Sequence, residues 1–231
     1  MAGVAVKAHV FVDDLDAPAL GPGDRHHLER VLRLRSGDPV SASDGAGGWR
    51  LCSLVSGDRG LEGAGVVRQD ERPAPPVTVA FALTKGDKPE WAVQKLTEVG
   101  VDRIVPVAAA RSVVRWTPER AAVQVERLRR VARESAMQCR RTWLPEVDEL
   151  AGFAAVAARP GASLAAVGGR PPTLAFPVVL VGPEGGWADE ELAVGLPRVA
   201  LGPHVLRAET AAVLAGGLLC ALRSGIVTPG D

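Results

Sequence analysis

The chain has 231 residues, enough for one large domain or two small ones, with ordinary hydrophobic (47%) and charged (23%) content. It contains no apolar run approaching the roughly 20 residues of a membrane helix, and its N-terminus has no basic-then-apolar signal segment, so no membrane partner is expected. Lysines and arginines exactly balance acids, which by itself argues against a nucleic-acid partner, but residues 103–141 hold 10 arginines against Glu119, Glu126 and Glu134. Such a segment is either a solvated helix face or the footprint of a phosphate-bearing partner.

Residues 1–72 carry short apolar runs between Gly and Asp turns, at Ala8–Val12, Pro39–Ala42, Trp49–Leu54 and Gly65–Val67. These spacings predict a small β-barrel or sheet. One helix interrupts it, with Asp24 as its N-cap, Leu28, Val31 and Leu32 at helical spacing, and Ser36-Gly37 as its stop. The polar, proline-rich stretch from Gln69 to Pro76 reads as a linker, with residues 73–76 as its centre.

From residue 77 to 231 strands and helices alternate. Val77–Leu83 is an apolar strand. Pro89 suits the first turn of a helix that carries Val93, Leu96 and Val99 on one face and ends at Gly100. Ile104–Ala108 is the next strand. Thr117-Pro118 opens a long helix with Val125, Leu128, Val131, Ala132 and Ser135 inward. Leu164–Val167, Val178–Val181 and Val199–Leu201 are further strands, and Asp189–Leu196 and Glu209–Arg223 further helices. Alternation of this kind implies an α/β domain with a mostly parallel sheet.

Two loops in this second region stand out. Gly182–Gly186 (Gly-Pro-Glu-Gly-Gly) follows one strand, and Leu201–Thr210 follows another. Neither is a phosphate loop or a dinucleotide fingerprint. Each is a glycine-containing strand-to-helix turn, and two such turns can wall one pocket with backbone, outside the carboxyl ends of a sheet where ligands bind. The widely spaced Cys52, Cys139 and Cys220 form neither a zinc spacing nor a disulfide framework and fit a reduced, cytoplasmic setting. His26-His27 lacks a metal partner at useful spacing and His9 stands alone, so no metal is expected.

The order of several blocks resembles the RsmE family of bacterial ribosomal-RNA uridine methyltransferases, within the SPOUT class. The blocks are His26–Arg35 with Gly37-Asp38 and Asp44-Gly45, Leu83–Lys88 with Gln94–Val101, Glu134-Ser135 with Gln138–Arg141, and the two glycine loops. The resemblance implies an N-terminal PUA-like RNA-binding β-barrel (1–72) and a SPOUT-type α/β domain (77–231) with a C-terminal deep trefoil knot. It implies a homodimer that transfers a methyl group from S-adenosyl-L-methionine to N3 of a uridine in 16S ribosomal RNA of the small subunit.

Carried onto this chain, the cofactor would be held by Leu180, Gly182, Pro183, Glu184, Gly185, Gly186, Leu201, Gly202, Val205, Leu206 and Thr210. Arg207 would stabilise charge on the target uridine or hold its phosphate, and Glu209 would act as base or orient Arg207; as a first-turn helix acid, Glu209 also has a purely structural role open to it. His26, Arg30, Arg33 and Arg35, together with Lys85, Arg115, Arg140 and Arg141, would meet RNA. Gln94 and Glu98 could line the target side, although Glu98 and Lys95 also read as surface charge. His204, Ala208, Met137 and Trp187 depart from the expected pattern. A ribose 2′-O-methyltransferase of the SpoU type and a non-catalytic ribosome-assembly factor are the alternatives. The blocks at 26–38 and 84–101 argue against the first, and the intact Arg207, Glu209 and Thr210 against the second.

Overall fold

The computed structural model describes residues 5–228, and it divides into two units. The first takes in residues up to Arg72 together with Ala136–Leu144; the second takes in Pro73–Ser135 and the chain from Pro145 onward. The segment 136–144, expected in the second domain, therefore belongs to the first unit's packing.

The first unit is built on a four-stranded sheet, β1 (Ala8–Phe11), β2 (Pro39–Ser43), β3 (Gly48–Leu54) and β4 (Leu61–Gln69), in that spatial order. The β1–β2 pair is parallel and the other two are antiparallel. Val10, Leu28, Val40, Ala42, Cys52, Leu54 and Leu61 make its core, with Met137 packed against it. Burial pushes the Cys52 thiol up from its ordinary range.

Segment 136–144 is tied in by polar contacts. The imidazole of buried His9 meets Ser41 Oγ at 2.9 Å and the Arg141 carbonyl at 3.0 Å, and Thr142 Oγ1 donates to Asp70 Oδ2 at 2.9 Å. Burial holds the His9 imidazole down at about 4. Strand β4 runs to Gln69, so the first residue of the expected linker is still sheet.

The helical interruption differs from expectation. Helix α1 spans Pro22–His26 with Gly21, not Asp24, as its N-cap, and continues as a π-helical turn over His27–Val31. Pro22 explains the shift, because a proline opens a helix readily and moves the cap upstream. Only Leu28 is buried there, whereas Val31 and Leu32 are exposed, because the π turn rotates them off the helical stripe.

The second unit is a seven-stranded parallel sheet with both faces covered. Its strands are β5 (Thr78–Ala82), β6 (Arg103–Ala108), β7 (Glu146–Val147), β8 (Ala151–Gly152), β9 (Ala162–Arg170), β10 (Val178–Val181) and β11 (Arg198–Val199). The order is β11-β9-β10-β5-β6-β7, with β8 also pairing β6. Side chains alternate across a strand, and β5 and β10 show the consequence. Val79, Phe81, Val179 and Val181 join one core with α2 (Lys88–Val99), α3 (Pro118–Cys139) and α6 (Ala208–Arg223). Ala80, Ala82, Val178 and Leu180 join the other with α4 (Phe153–Ala157) and α5 (Asp189–Leu192).

Helix α2 ends at Gly100, whose φ of 101° is the left-handed cap that glycine permits. Helix α6 packs close on the first core: a Cβ at Gly216 would meet Val101 and Leu96 side chains at 2.6 and 2.8 Å. Its last turn is clamped by Arg223, which pairs with Asp102 and donates to the carbonyls of Gly100 at 2.8 Å and Pro75 at 3.2 Å. The expected helix 189–196 shortens to α5, and β7, β8 and α4 are elements the sequence reading did not contain. No helix among the described residues is long and apolar enough to cross a membrane.

Candidate functional site

The two glycine loops come together. Each leaves the carboxyl end of a strand, β10 or β11, and with the middle of β9 they wall a cleft of about 360 Å³. Its lining includes Val181, Gly182, Pro183, Glu184 and Gly186 from the first loop region, and Leu201, Gly202, His204, Val205 and Leu206 from the second. Ala165, Ala166 and Val167 of β9, Trp187, Leu192, Arg198, Ala208 and Ala211 complete it.

The first loop is a tight turn. Gly186 N–H donates to the Pro183 carbonyl at 2.8 Å, and the φ of 71° at Gly186 is one that glycine adopts without cost. Behind it, the indole of Trp187 is buried, stands 5.4 Å from the Phe153 ring, and donates through Nε1 to the Ala165 carbonyl at 3.3 Å. Gly182 has to be small here, since a Cβ would lie 2.9 Å from the Trp187 ring. The buried Glu191 carboxylate holds the following segment: its oxygens accept from Ala188 N–H at 2.8 Å and Ala110 N–H at 2.9 Å, joining the loops that follow β10 and β6.

Three of the expected cofactor contacts fall outside this lining, two of them for a periodic reason. Leu180 is fully buried in the second core, because alternation along β10 turns Val181 toward the cleft instead. Thr210 is exposed, because α6 starts at Ala208 and presents Ala208 and Ala211, three residues apart, to the cleft. Gly185 is at the exposed tip of the turn, where its carbonyl accepts from Arg111 at 3.5 Å.

Arg207 is exposed at the N-cap of α6, and Glu209 lies in its first turn. Glu209 is not an open carboxylate. Its Oε1 is 3.2 Å from Lys88 Nζ, its side chain is only 11% exposed, and Oε2 is buried without a hydrogen-bond partner. Lys88 also lies 3.9 Å from Glu184 Oε1. Lys88 sits inside the block Leu83–Lys88 that carried the resemblance, yet the sequence alone attached no role to it. Trp187, Arg198 and the β9 residues were likewise outside the expected site, since nothing local in the sequence ties them to the loops.

The basic segment is partly neutralised within the second unit. Arg103 pairs with Glu146 and Asp148, Arg127 with Glu90 at 2.8 Å, and Arg129 with Glu126 at 2.5 Å and Glu149 at 2.7 Å. These two carboxylates raise the Arg129 guanidinium further above its already high range. Lys85 and Arg115 are exposed. Gln94 is exposed too, while half-buried Glu98 pairs with half-buried Lys95 at 2.8 Å.

In the first unit His26, Arg30, Arg33 and Arg35 are all exposed around the π turn, and Arg30 borders a second, polar cleft of about 300 Å³ with Glu29, Ser36 and Ser56. Arg140 donates to the Val6 carbonyl at 2.9 Å, and Arg141 is half-buried with its carbonyl on His9.

Comparison with known proteins gives this geometry a context. Residues 70–220 match the model of an RNA methyltransferase domain, and residues 20–62 that of an RNA methyltransferase PUA domain. The chain is 35% identical over 233 residues to ribosomal RNA small subunit methyltransferase E of Mycobacterium bovis, covering 91% of this chain and 89% of that protein. Against the Bacillus subtilis protein of the same name it is 29% identical over 215 residues, covering 82% and 84% of the two chains. The solved ribosomal RNA small subunit methyltransferase E from Neisseria gonorrhoeae, bound to S-adenosyl methionine, superposes with a TM-score of 0.76 at 28% identity over 93% of this chain and 97% of that one.

Proposed function

Because the chain belongs to the RsmE family of ribosomal RNA methyltransferases, we propose that it methylates N3 of a uridine in 16S ribosomal RNA of the small subunit, using S-adenosyl-L-methionine. The observation that carries this reading is the cleft itself, formed where both glycine loops leave the carboxyl ends of the sheet. Its size falls in the usual range for small-molecule sites, and its walls combine apolar side chains with backbone. Glu184, Arg198 and His204 are the charged or titratable groups in its lining, suited to a ligand with an ammonium and a carboxylate at one end and a flat base at the other. When bound, S-adenosyl-L-methionine supplies an electrophilic methyl group on a sulfonium.

The protein's contribution is to position the reactants and exclude water. Val181, Leu201 and Leu206 line the cleft with apolar surface, and exclusion of water strengthens the dipoles that remain. Arg207, exposed beside the cleft at the start of α6, stabilises the charge that develops on the uridine oxygens as N3 loses its hydrogen. His26, Arg30, Arg33, Arg35, Lys85, Arg115, Arg140 and Arg141 meet RNA phosphate, all but the half-buried Arg141 being exposed.

The PUA-like domain is residues 1–72 completed by 136–144. The methyltransferase domain is the rest of the chain after residues 73–76, and its C-terminal segment forms the trefoil knot. The protein works in the cytoplasm as a homodimer. The test is nucleoside mass spectrometry of small-subunit RNA from cells lacking the protein, followed by treatment of their subunits with purified protein and cofactor. Loss and then return of 3-methyluridine is expected. Methylation that appears on ribose, or a 3-methyluridine level unaffected by the deletion, would overturn the reading.

A further inference from the structure

Lys88 is the first residue of α2, an unfavourable place for a cation because the helix dipole is positive there. The preceding residue, Asp87, makes no side-chain cap bond that would offset this. Helix stability therefore does not account for Lys88. Its ammonium group instead stands 3.9 Å from Oε1 of Glu184, which lines the cleft, and 3.2 Å from Oε1 of Glu209, which follows the lining residue Ala208. One acid is in the first glycine loop; the other opens the helix that follows the second. Glu209 is left with one oxygen on Lys88 and the other, Oε2, buried and without a hydrogen-bond partner. A buried acceptor with no donor is costly, and such an atom in a binding region is explained by a donor that arrives with the ligand.

We propose that Lys88 is a positioning residue for methyl transfer: by pairing with Glu209 Oε1 it fixes that carboxylate so that Oε2 accepts a hydrogen bond from the imide N–H of the target uracil. The inference rests on the functional reading above. It assigns the uracil N3–H as the missing donor: Glu209 Oε2 takes that proton as the N3–CH3 bond forms and the sulfonium S–CH3 bond breaks, leaving S-adenosylhomocysteine as the product. Glu184 is the weaker partner, and its longer separation makes it a guide for the lysine rather than the group acted on.

The test uses full-length Lys88→Met, Lys88→Arg and Glu209→Gln and the Lys88→Met/Glu209→Gln double variant, in single-turnover methylation of small subunits lacking the modification. Cofactor affinity is read by calorimetry and folding by thermal melting. Lys88→Met is expected to slow the chemical step about tenfold or more while leaving cofactor Kd within about threefold, and Lys88→Arg to recover much of the rate. The double variant should be no slower than about threefold below the slower single one, because both changes disable the same unit. A Lys88→Met rate within twofold of wild type, or rate losses that multiply in the double variant, would overturn the proposal. Wild-type protein that transfers no methyl group to the subunit would overturn the functional reading, and this inference with it, and is distinguished by needing no variant.

Discussion

Gly182→Ala isolates a single contact at the floor of the cleft. The φ of Gly182 lies outside the left-handed region, so alanine adopts its backbone without strain and the whole effect comes from the added methyl group. That methyl would stand 2.9 Å from Trp187 Cε2, 3.2 Å from Cδ2 and 3.3 Å from Cζ2. Carbon atoms pack at about 3.5–4.0 Å, so the indole has to retreat by roughly half an ångström or more. Its surroundings resist this: the ring is packed against Phe153 and held through Nε1 on the Ala165 carbonyl.

Overpacking of this kind costs about 1–3 kcal/mol. Because Trp187 and Ala165 both line the cleft, the cost falls on ligand binding as well as on stability. Spent wholly on binding, it weakens affinity for S-adenosyl-L-methionine by roughly fivefold to a hundredfold. Calorimetry with the purified protein measures this directly. In a Trp187→Leu background the same glycine change should become nearly neutral, giving a coupling energy of about 1 kcal/mol or more. Wild-type affinity in Gly182→Ala, or an equal loss in both backgrounds, would refute the steric reasoning.

Arg223→Met removes the guanidinium from a pair in which both side chains are under 10% exposed and deprives the Gly100 and Pro75 carbonyls of a donor. Breaking such a pair from one side costs about 3–5 kcal/mol, and a drop in Tm of roughly 10 °C by circular dichroism checks it. His9 sets a pH dependence of the first unit. Its imidazole titrates near 6.5 unfolded and about 4 folded, so its stabilising contribution is complete above pH 6.5 and is lost as pH falls toward 4. The loss amounts to about 3 kcal/mol. Urea midpoints from pH 7.5 to 4.5 should therefore fall more steeply in wild type than in His9→Gln. Arg30→Ala/Arg33→Ala should weaken RNA binding and reduce the slope of log affinity against log salt by about 1 per lost phosphate contact; an unchanged slope would remove the π turn from the interface.

What could be read from the chain follows the range of the forces involved. Helix α2 was legible because its start at Pro89, its apolar spacing and its stop at Gly100 are all local signals. The same holds for the strands around Val79 and Val179 and for α6. Strands β7 and β8 and helix α4 are two to five residues long, too short for periodicity to register; they exist because β6 and the first core hold β7, and β6 and the second core hold β8 and α4. The π turn likewise escaped notice, because its departure from helical phase has no signature in composition.

At the site the sequence by itself determined that two glycine-bearing loops would follow strands, since glycine content and apolar runs are properties of the chain. Only the tertiary structure decided which side chains face the cleft. Strand parity turned Val181 inward and Leu180 away, and the starting phase of α6 chose Ala208 and Ala211 over Thr210. It also decided the fate of charge. Arg127 is neutralised by Glu90 and Lys88 reaches Glu209 across long stretches of chain. Ion pairs act over a few ångströms of space, not of sequence, so no reading of neighbours along the chain could have found them.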